Sequence, residues 1–294
     1  MILSQNQSYQ IGPYQLVAVK NLLTIEHRGH EVYEMRLPTG ELVVCKVATN
    51  QAAADQMAHE FTVLNTLHDV SGIVRSKGLF PFGQFCALLV DYINAPHVAR
   101  GRIHVTALPE HRALTWPVVV ALMYDGTKIL QQAHERHIIH SDIKPQNFLY
   151  TADKKIFLFD WDHSLILPAQ PDKHVPVEGT PQFMAPEQVR HEPVDARTDI
   201  YSLGVSCVSL LYGARISPRY TVTGEVVAER TNPDIVKALR VNETIKYDLM
   251  PAPLNNTEAA LQALWRKMTA ADPKQRPQSV QELRASLPVL SDQA

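Results

Sequence analysis

Glycine is scarce in this chain. Of 294 residues, 12 are Gly and 20 are Pro. Such a chain has many rigid turns and few pliable ones, which disfavours a function built on a glycine-rich loop. Cysteine is scarcer still: Cys45, Cys86 and Cys207 lie far apart within apolar runs. They permit neither a disulfide framework nor zinc-ligand spacing, and they point to a reducing compartment. Neither sign of charge predominates. Lys plus Arg number 28 against 30 Asp plus Glu, a net charge of −2. That argues against a bulk nucleic-acid binder and a polybasic membrane anchor, while leaving room for a local basic groove. Long apolar runs are also missing. The longest, Tyr201–Tyr212, is interrupted by Ser and Gly and is too short to span a bilayer. Met1–Gln10 lacks the charged and apolar regions of a signal peptide. The expectation is a soluble, cytoplasmic protein with no nucleic-acid or membrane partner.

What is present is ordinary globular material. The hydrophobic fraction is 45%, and a chain of this size buries roughly 75% of its surface on folding. At about 150 residues per domain, one large domain or two lobes are expected. Runs rich in Val, Leu and Tyr predict strands at Tyr14–Val19, Val32–Leu37, Glu41–Val47 and Phe85–Val90. Leu37–Glu41, with Pro38 and Gly40, predicts a hairpin turn between two of them. Met57, Phe61, Leu64 and Leu67 share one face of a helix over Ala52–Leu67. Residues 91–95 make a short polar connection, and His97–Thr115 is irregular and basic. A helix is expected over Trp116–Arg136, with Pro117 in its first turn, then short strands at Phe148–Tyr150 and Ile156–Phe159. Helices are expected at Thr198–Tyr212, Pro233–Val241, Thr257–Ala270 and Ser279–Leu287. The fold class is therefore α+β: a strand-rich part over 1–90, a connection at 91–95 and a helical part over 96–294, read as two lobes with a cleft.

The strongest chemical signal is His140-Ser141-Asp142-Ile143-Lys144-Pro145-Gln146-Asn147, between the long helix and a strand. A second apolar strand, Ile156–Phe159, ends on Asp160-Trp161-Asp162. A base, a cation and an amide on one loop, close to another carboxylate, suit phosphoryl transfer. Asp142 would orient a hydroxyl nucleophile and Lys144 would neutralise the moving phosphoryl group. Asn147 and Asp160 would hold Mg²⁺ on the phosphates. Asp160 ends an apolar run, where a carboxylate is costly without a cation, which favours a metal-facing role. His97, His104, His111, His134 and His137 have no metal-ligand spacing and are expected at the solvated surface.

At these residues the chain resembles the protein kinase family, and it does so over nearly its whole length. Val43-Val44-Cys45-Lys46 is similar to the strand with the phosphate-binding lysine, and Glu60 on the next helix is its implied partner. His140–Asn147 resembles the catalytic loop, and Asp160-Trp161-Asp162 stands where the family has Asp-Phe-Gly. Gly179–Glu187 resembles the end of the activation segment, Asp199–Gly204 the start of the central helix, and Asp272–Pro277 the loop whose Arg276 would pair with Glu187. The resemblance implies a bilobal fold with a small β-rich N-lobe and a larger helical C-lobe. It implies ATP and Mg²⁺, with Mn²⁺ as an option, and a protein substrate with a Ser or Thr acceptor. Lys144 and Thr180 match the Ser/Thr-specific pattern. Ile25 and Val32 would roof the adenine pocket, Val44 would lie near the ring and Leu149 would floor it. Backbone groups of Asp91 and Ile93 would bond the base, and Val90 would guard the back of the pocket. The short chain without appended domains suggests a bacterial-type member.

The departures are specific. The glycine-rich loop aligns with Ile25–Val32, where Gly29 is the one glycine and is out of its usual place. Asp162 replaces the glycine of Asp-Phe-Gly, adding a third carboxylate that either joins the metal site or, by preference, points into solvent. Ser141 stands where many members carry the Arg that binds an activation-loop phosphate, and Ser164 is the one hydroxyl between Asp162 and Gly179. Control by phosphorylation of that loop is therefore not expected. A pseudokinase and a small-molecule phosphotransferase are the alternatives. The Gly179–Glu187 segment, a platform for peptide, speaks against the second.

Overall fold

Alternation of buried and exposed side chains builds the first part of the chain. In His30–Arg36, Tyr33 and Met35 face the core while Arg36 faces out. A computed structural model describes residues 3–25, 29–98, 109–167, 179–212, 219–222, 225–226, 239–243, 250 and 252–289. It divides into two compact units, Met1–Asn94 with Phe159–Asp162, and Ala95–Leu158 with His163–Ala294.

The first unit is an antiparallel sheet of β1 (Ser8–Ile11), β2 (Tyr14–Ile25), β3 (His30–Arg36), β4 (Leu42–Ala48), β5 (Ser76–Phe82) and β6 (Phe85–Asp91). Their order is β1-β2-β3-β4-β6-β5. One face gathers a core that includes Leu3, Ile11, Leu16, Met35, Val43 and Leu89. Edge-on ring pairs, Tyr9 with Phe82 at 6.4 Å and Tyr14 with Phe80 at 5.9 Å, draw β5 to the β1–β2 hairpin. The expected turn at Leu37–Glu41 is present, with Gly40 at φ 90° and Leu37 N–H donating to the Glu41 carbonyl. β1 and β5 were not expected. β1 is polar and short, and β5 contains Gly78 and Pro81, residues compatible with strand only at an edge or bulge. The pairing of β5 with β6 shifts register between Ser76 and Gly78.

Helix α1 (Gln51–Thr66) follows β4 almost directly, with Asn50 as N-cap: its side chain accepts from Ala53 N–H at 2.9 Å. The buried face is Ala53, Met57, Glu60, Val63 and Leu64. Phe61, expected in the apolar stripe, is half-buried, and Glu60 takes a core position one turn from Met57 and Leu64.

The second unit is mainly helical. Helix α2 (Pro109–Ala121) leads through a π-helical turn, Leu122–Gly126, into α3 (Thr127–Glu135). This helical stretch starts earlier than expected, so Pro117 lies inside α2 rather than in its first turn. Then come β7 (Ile138–Ile139), β8 (Phe148–Tyr150), β9 (Ile156–Leu158), β10 (Leu165–Ile166), α4 (Pro186–Val189) and α5 (Ala196–Tyr212). Three strands, β11 (Arg219–Val222), β12 (Glu225–Val226) and β13 (Leu239–Glu243), precede α6 (Asn256–Met268) and α7 (Val280–Ala285). The helix expected over Pro233–Val241 falls mostly outside the described residues, and its last three residues belong to β13, where the β-branched Val241 pairs with Tyr220. Helix α5 is buried along nearly its whole length, which explains why apolar residues occur on every side of it. No helix among the described residues is long and apolar enough to cross a membrane.

Candidate active site

In the first unit, β4 holds Lys46 in register with Val32 on β3 and Leu88 on β6. The side chain is buried and reaches Glu60 on α1. Its Nζ donates to both Glu60 carboxylate oxygens at 2.8 Å and to Asp160 Oδ1 at 2.9 Å. Burial alone would lower the Lys46 pKa, but the carboxylates of Asp160, Glu60 and Asp162 together raise it. Burial pushes the Glu60 carboxyl up to about 7 against the pull of Lys46, with Asp160 and Asp162 adding to the rise. Asp160 holds a left-handed backbone at φ 67°, an uncommon state for a residue with a side chain.

Asp162 does not point into solvent. It is buried, its Oδ1 has no exposed surface, and its charge is felt at both Lys46 and Glu60. One ammonium thus faces three carboxylates in a poorly solvated place. Burying carboxylates close together is costly, and a cation bound beside them would offset that cost. Among the described residues no group of three or more His, Cys, Asp or Glu side chains is arranged to hold a metal ion. Mg²⁺ does not need one, since it binds through one or two carboxylates together with phosphates and water. The donor set fits such an ion.

Of the expected adenine-pocket residues in this unit, Val32 and Val44 are half-buried on β3 and β4, and Val90 is buried on β6. Asp91 and Ile93 line a cavity of about 500 Å³ with Glu41, Leu42, Tyr92 and Asn94. Lys77 bridges Glu41 and Asp91 at 2.8 and 3.1 Å. Ile25 ends β2, paired with His30. Of the loop that aligns with the family's glycine-rich loop, residues 26–28 lie outside the described residues. Gly29, at φ 69°, packs on Asn50, where a Cβ would stand 2.3 Å from the side-chain nitrogen. Its carbonyl accepts from Thr49 N–H at 2.8 Å. That glycine joins the hairpin end to the cap of α1.

In the second unit, the loop after β7 gathers four expected residues. Asp142 is buried. Its Oδ2 accepts from Lys144 Nζ at 2.5 Å and, more weakly, from Asn147 Nδ2 at 3.3 Å, while its Oδ1 accepts from Thr180 N–H at 2.8 Å. Lys144 Nζ also donates to Thr180 Oγ1 at 2.7 Å. A 3₁₀ turn over Pro145–Asn147 sets Asn147, whose amide donates to the Asp142 carbonyl at 2.9 Å. Burial opposes ionisation of Asp142, but Lys144, His163 and His140 overcome it and hold the carboxyl below its usual range. A carboxylate kept ionised beside an ammonium and a threonine hydroxyl can accept a hydrogen bond from an incoming hydroxyl. Leu149 sits on β8, half-buried and bridged to His97.

Two buried ionic anchors frame this loop. Asp199 accepts from His140 N–H and Ser141 N–H at 2.9 Å each. His134 Nε2 lies 2.8 Å from the same carboxylate, so this histidine is packed inward rather than solvated as expected. Its partner lies on α5, far along the chain, and no local pattern signals it. Glu187 pairs with Arg276 at 2.6 and 2.8 Å, with the Arg276 side chain fully enclosed over the Tyr201 ring.

Similarity to known proteins extends over most of the chain. The family described as "Protein kinase domain" matches residues 29–287. The chain is 28% identical over 235 residues to serine/threonine-protein kinase ULK3 of Homo sapiens, covering 79% of this chain and 45% of the relative. It is 29% identical over 187 residues to serine/threonine-protein kinase TIO of Arabidopsis thaliana, covering 62% and 13%. It is 25% identical over 226 residues to serine/threonine-protein kinase PknB of Mycobacterium leprae, covering 75% and 32%. The chain therefore spans less than half the length of these relatives.

Proposed function

The chain belongs to the protein kinase domain family, and from that membership we propose that it is a Ser/Thr protein kinase, transferring the γ-phosphoryl group of ATP to a protein hydroxyl. The observation that carries the reading is the Asp142–Lys144–Thr180 cluster, a buried carboxylate held ionised by an ammonium and a backbone amide. Asp142 orients the acceptor hydroxyl and takes its proton. The hydroxyl oxygen bonds to the γ-phosphorus as the bond to the β–γ bridging oxygen breaks, and ADP leaves. Lys144 neutralises charge on the moving group, and Thr180 holds Lys144 in place. Lys46, aimed by Glu60, binds phosphate oxygens. Asp160 and Asn147 would hold Mg²⁺, with Mn²⁺ as an option. When bound, the ion neutralises phosphate charge. As the resemblance implies, Ile25, Val32, Val44 and Leu149 would enclose adenine, with backbone groups of Asp91 and Ile93 bonding it. In this reading residues 1–90 form the N-lobe, 91–95 the hinge and 96–294 the C-lobe. The three free cysteines support a reducing, cytoplasmic setting.

The test is transfer of labelled phosphate from ATP to a generic basic protein with Mg²⁺ and with Mn²⁺. Asp142→Ala should lower turnover by at least about a hundredfold with ATP affinity nearly unchanged. Calorimetric titration should show ATP binding that depends on divalent ion, and Asp160→Ala should remove that dependence. Tight, metal-independent binding without transfer would make the chain a pseudokinase instead.

A further inference from the structure

Ser141 is a strained residue with little help from its own side chain. Its backbone is left-handed at φ 65°, a strained state that persists only where surrounding groups enforce it. Its Oγ is buried and has no hydrogen-bond partner among the described residues. The peptide is instead held from outside. On one side Asp199 takes the Ser141 N–H. On the other, the Ser141 carbonyl accepts from Gln188 Nε2 at 2.9 Å. Gly179, at φ 136°, lies close against this carbonyl, where a Cβ would stand 3.2 Å from the oxygen. A carbonyl so enclosed needs a protein donor.

Gln188 is buried on the one-turn helix α4, and its amide is used at both ends. Oε1 accepts from Ala185 N–H at 2.9 Å while Nε2 reaches Ser141. The first bond fixes which way the amide faces, so the second always presents a donor. The next residue after the clamped peptide is Asp142. Its carboxylate is tied to the same segment through Thr180, by the Thr180 N–H and through Lys144. Every contact in this network is internal to the second unit, and the Gln188 contacts carry no charge.

We propose that Gln188 is a positioning residue for phosphoryl transfer: its amide clamps the Ser141 peptide to the N-terminal end of α4 and thereby sets the orientation of Asp142. This rests on the kinase reading above. It also supplies a neutral latch between catalytic loop and activation segment at a position where the chain has serine and so no guanidinium to gather a phosphate. Glutamine suits the role because it both donates and accepts. Glutamate has the same shape and still accepts from Ala185, but turns a carboxylate oxygen toward the Ser141 carbonyl. Methionine keeps the volume and loses both bonds.

The test compares full-length wild type, Gln188→Glu and Gln188→Met by steady-state kinetics with a generic basic protein and Mg-ATP. Amide hydrogen exchange is followed over 138–147 and 179–190. Both variants should lose about tenfold or more in kcat, with KM for ATP within about twofold, and catalytic-loop amides should exchange faster while β3 and β4 are unaffected. In an Asp142→Asn background, Gln188→Glu should cost little more, since both act on the same group. Wild-type-like kcat in Gln188→Glu, or an equal loss with and without Asp142, overturns the assignment. Wild-type protein that transfers no phosphate overturns the kinase reading instead. Exchange then decides the clamp by itself, and unchanged exchange over 138–147 overturns it.

Discussion

At the scale of single residues, several functional groups depend on burial as much as on identity. Tyr33 is an instance outside the site. Its hydroxyl accepts from Leu3 N–H at 2.9 Å and donates to the buried Glu31 carboxylate. Burial, with Glu31 adding to it, raises the phenol to about 12. A raised pKa means that the folded state keeps its proton longer than the unfolded chain. The stabilisation is therefore complete below the ordinary value of 10 and is lost as pH rises toward 12. Tyr33→Phe should cost about 1.5–3 kcal/mol near neutrality, the scale of a hydrogen bond to a charged group. The gap from wild type should narrow above pH 10. Denaturant midpoints of both proteins at pH 8 and pH 11 would check this, and a constant gap would contradict it. Glu187 and Arg276 pose the opposite problem, a pair with almost no solvent. Arg276→Met leaves a buried carboxylate unmatched and should cost about 3–5 kcal/mol. Adding Glu187→Gln should restore part of that loss, because the uncompensated charge is gone. Equal losses in single and double variants would mean that the charges are not coupled.

At the scale of elements, the placement of Glu60 follows from where α1 begins. One pair of residues, Thr49 and Asn50, separates β4 from the helix, and Asn50 both caps it and receives Gly29. The hairpin end, the strand of Lys46 and the helix of Glu60 therefore meet at one asparagine. Asn50→Ala should destabilise the chain by about 1 kcal/mol through loss of the cap, while Asn50→Asp should be nearly neutral. Thermal unfolding would separate the two, and an Asp variant as weak as the Ala variant would rule out capping as the cause. The sequence made the helix legible through Met57 and Leu64. It misassigned Phe61 to the buried face because a four-three-three spacing fits two neighbouring stripes equally well. The strand of Lys46 was legible for a simpler reason: Val43, Val44 and Cys45 form an apolar run that only a strand buries on alternate faces.

At the scale of the whole molecule, β1 and the residues before it lie ahead of the residues matched by the family, 29–287. They nevertheless supply core: Leu3 and Ile11 are buried among Leu16, Met35 and Leu89. Burying two such side chains contributes roughly 3–6 kcal/mol. Deleting residues 1–12 should lower the unfolding free energy by at least about 3 kcal/mol, measured by denaturant titration. A loss under about 1 kcal/mol would show that the sheet closes without them. The same division runs through the rest of the protein. By itself the sequence determined most of the long strands and helices and the loop from His140 to Asn147, because hydrophobic periodicity and short-range motifs are local; it missed β1, β5 and the strands β11–β13. Asp160 stood out because it ends an apolar run, Asp142 because it shares its loop with a lysine and an amide, and Lys46 and Glu60 through the resemblance to the family. Only tertiary structure decided that Asp162 turns inward beside Lys46, that His134 and two backbone amides converge on Asp199, and that Gln188 reaches Ser141. The contacts of Asp199 and Gln188 join residues 47 to 65 positions apart, and nothing in a local pattern records which buried polar groups will meet.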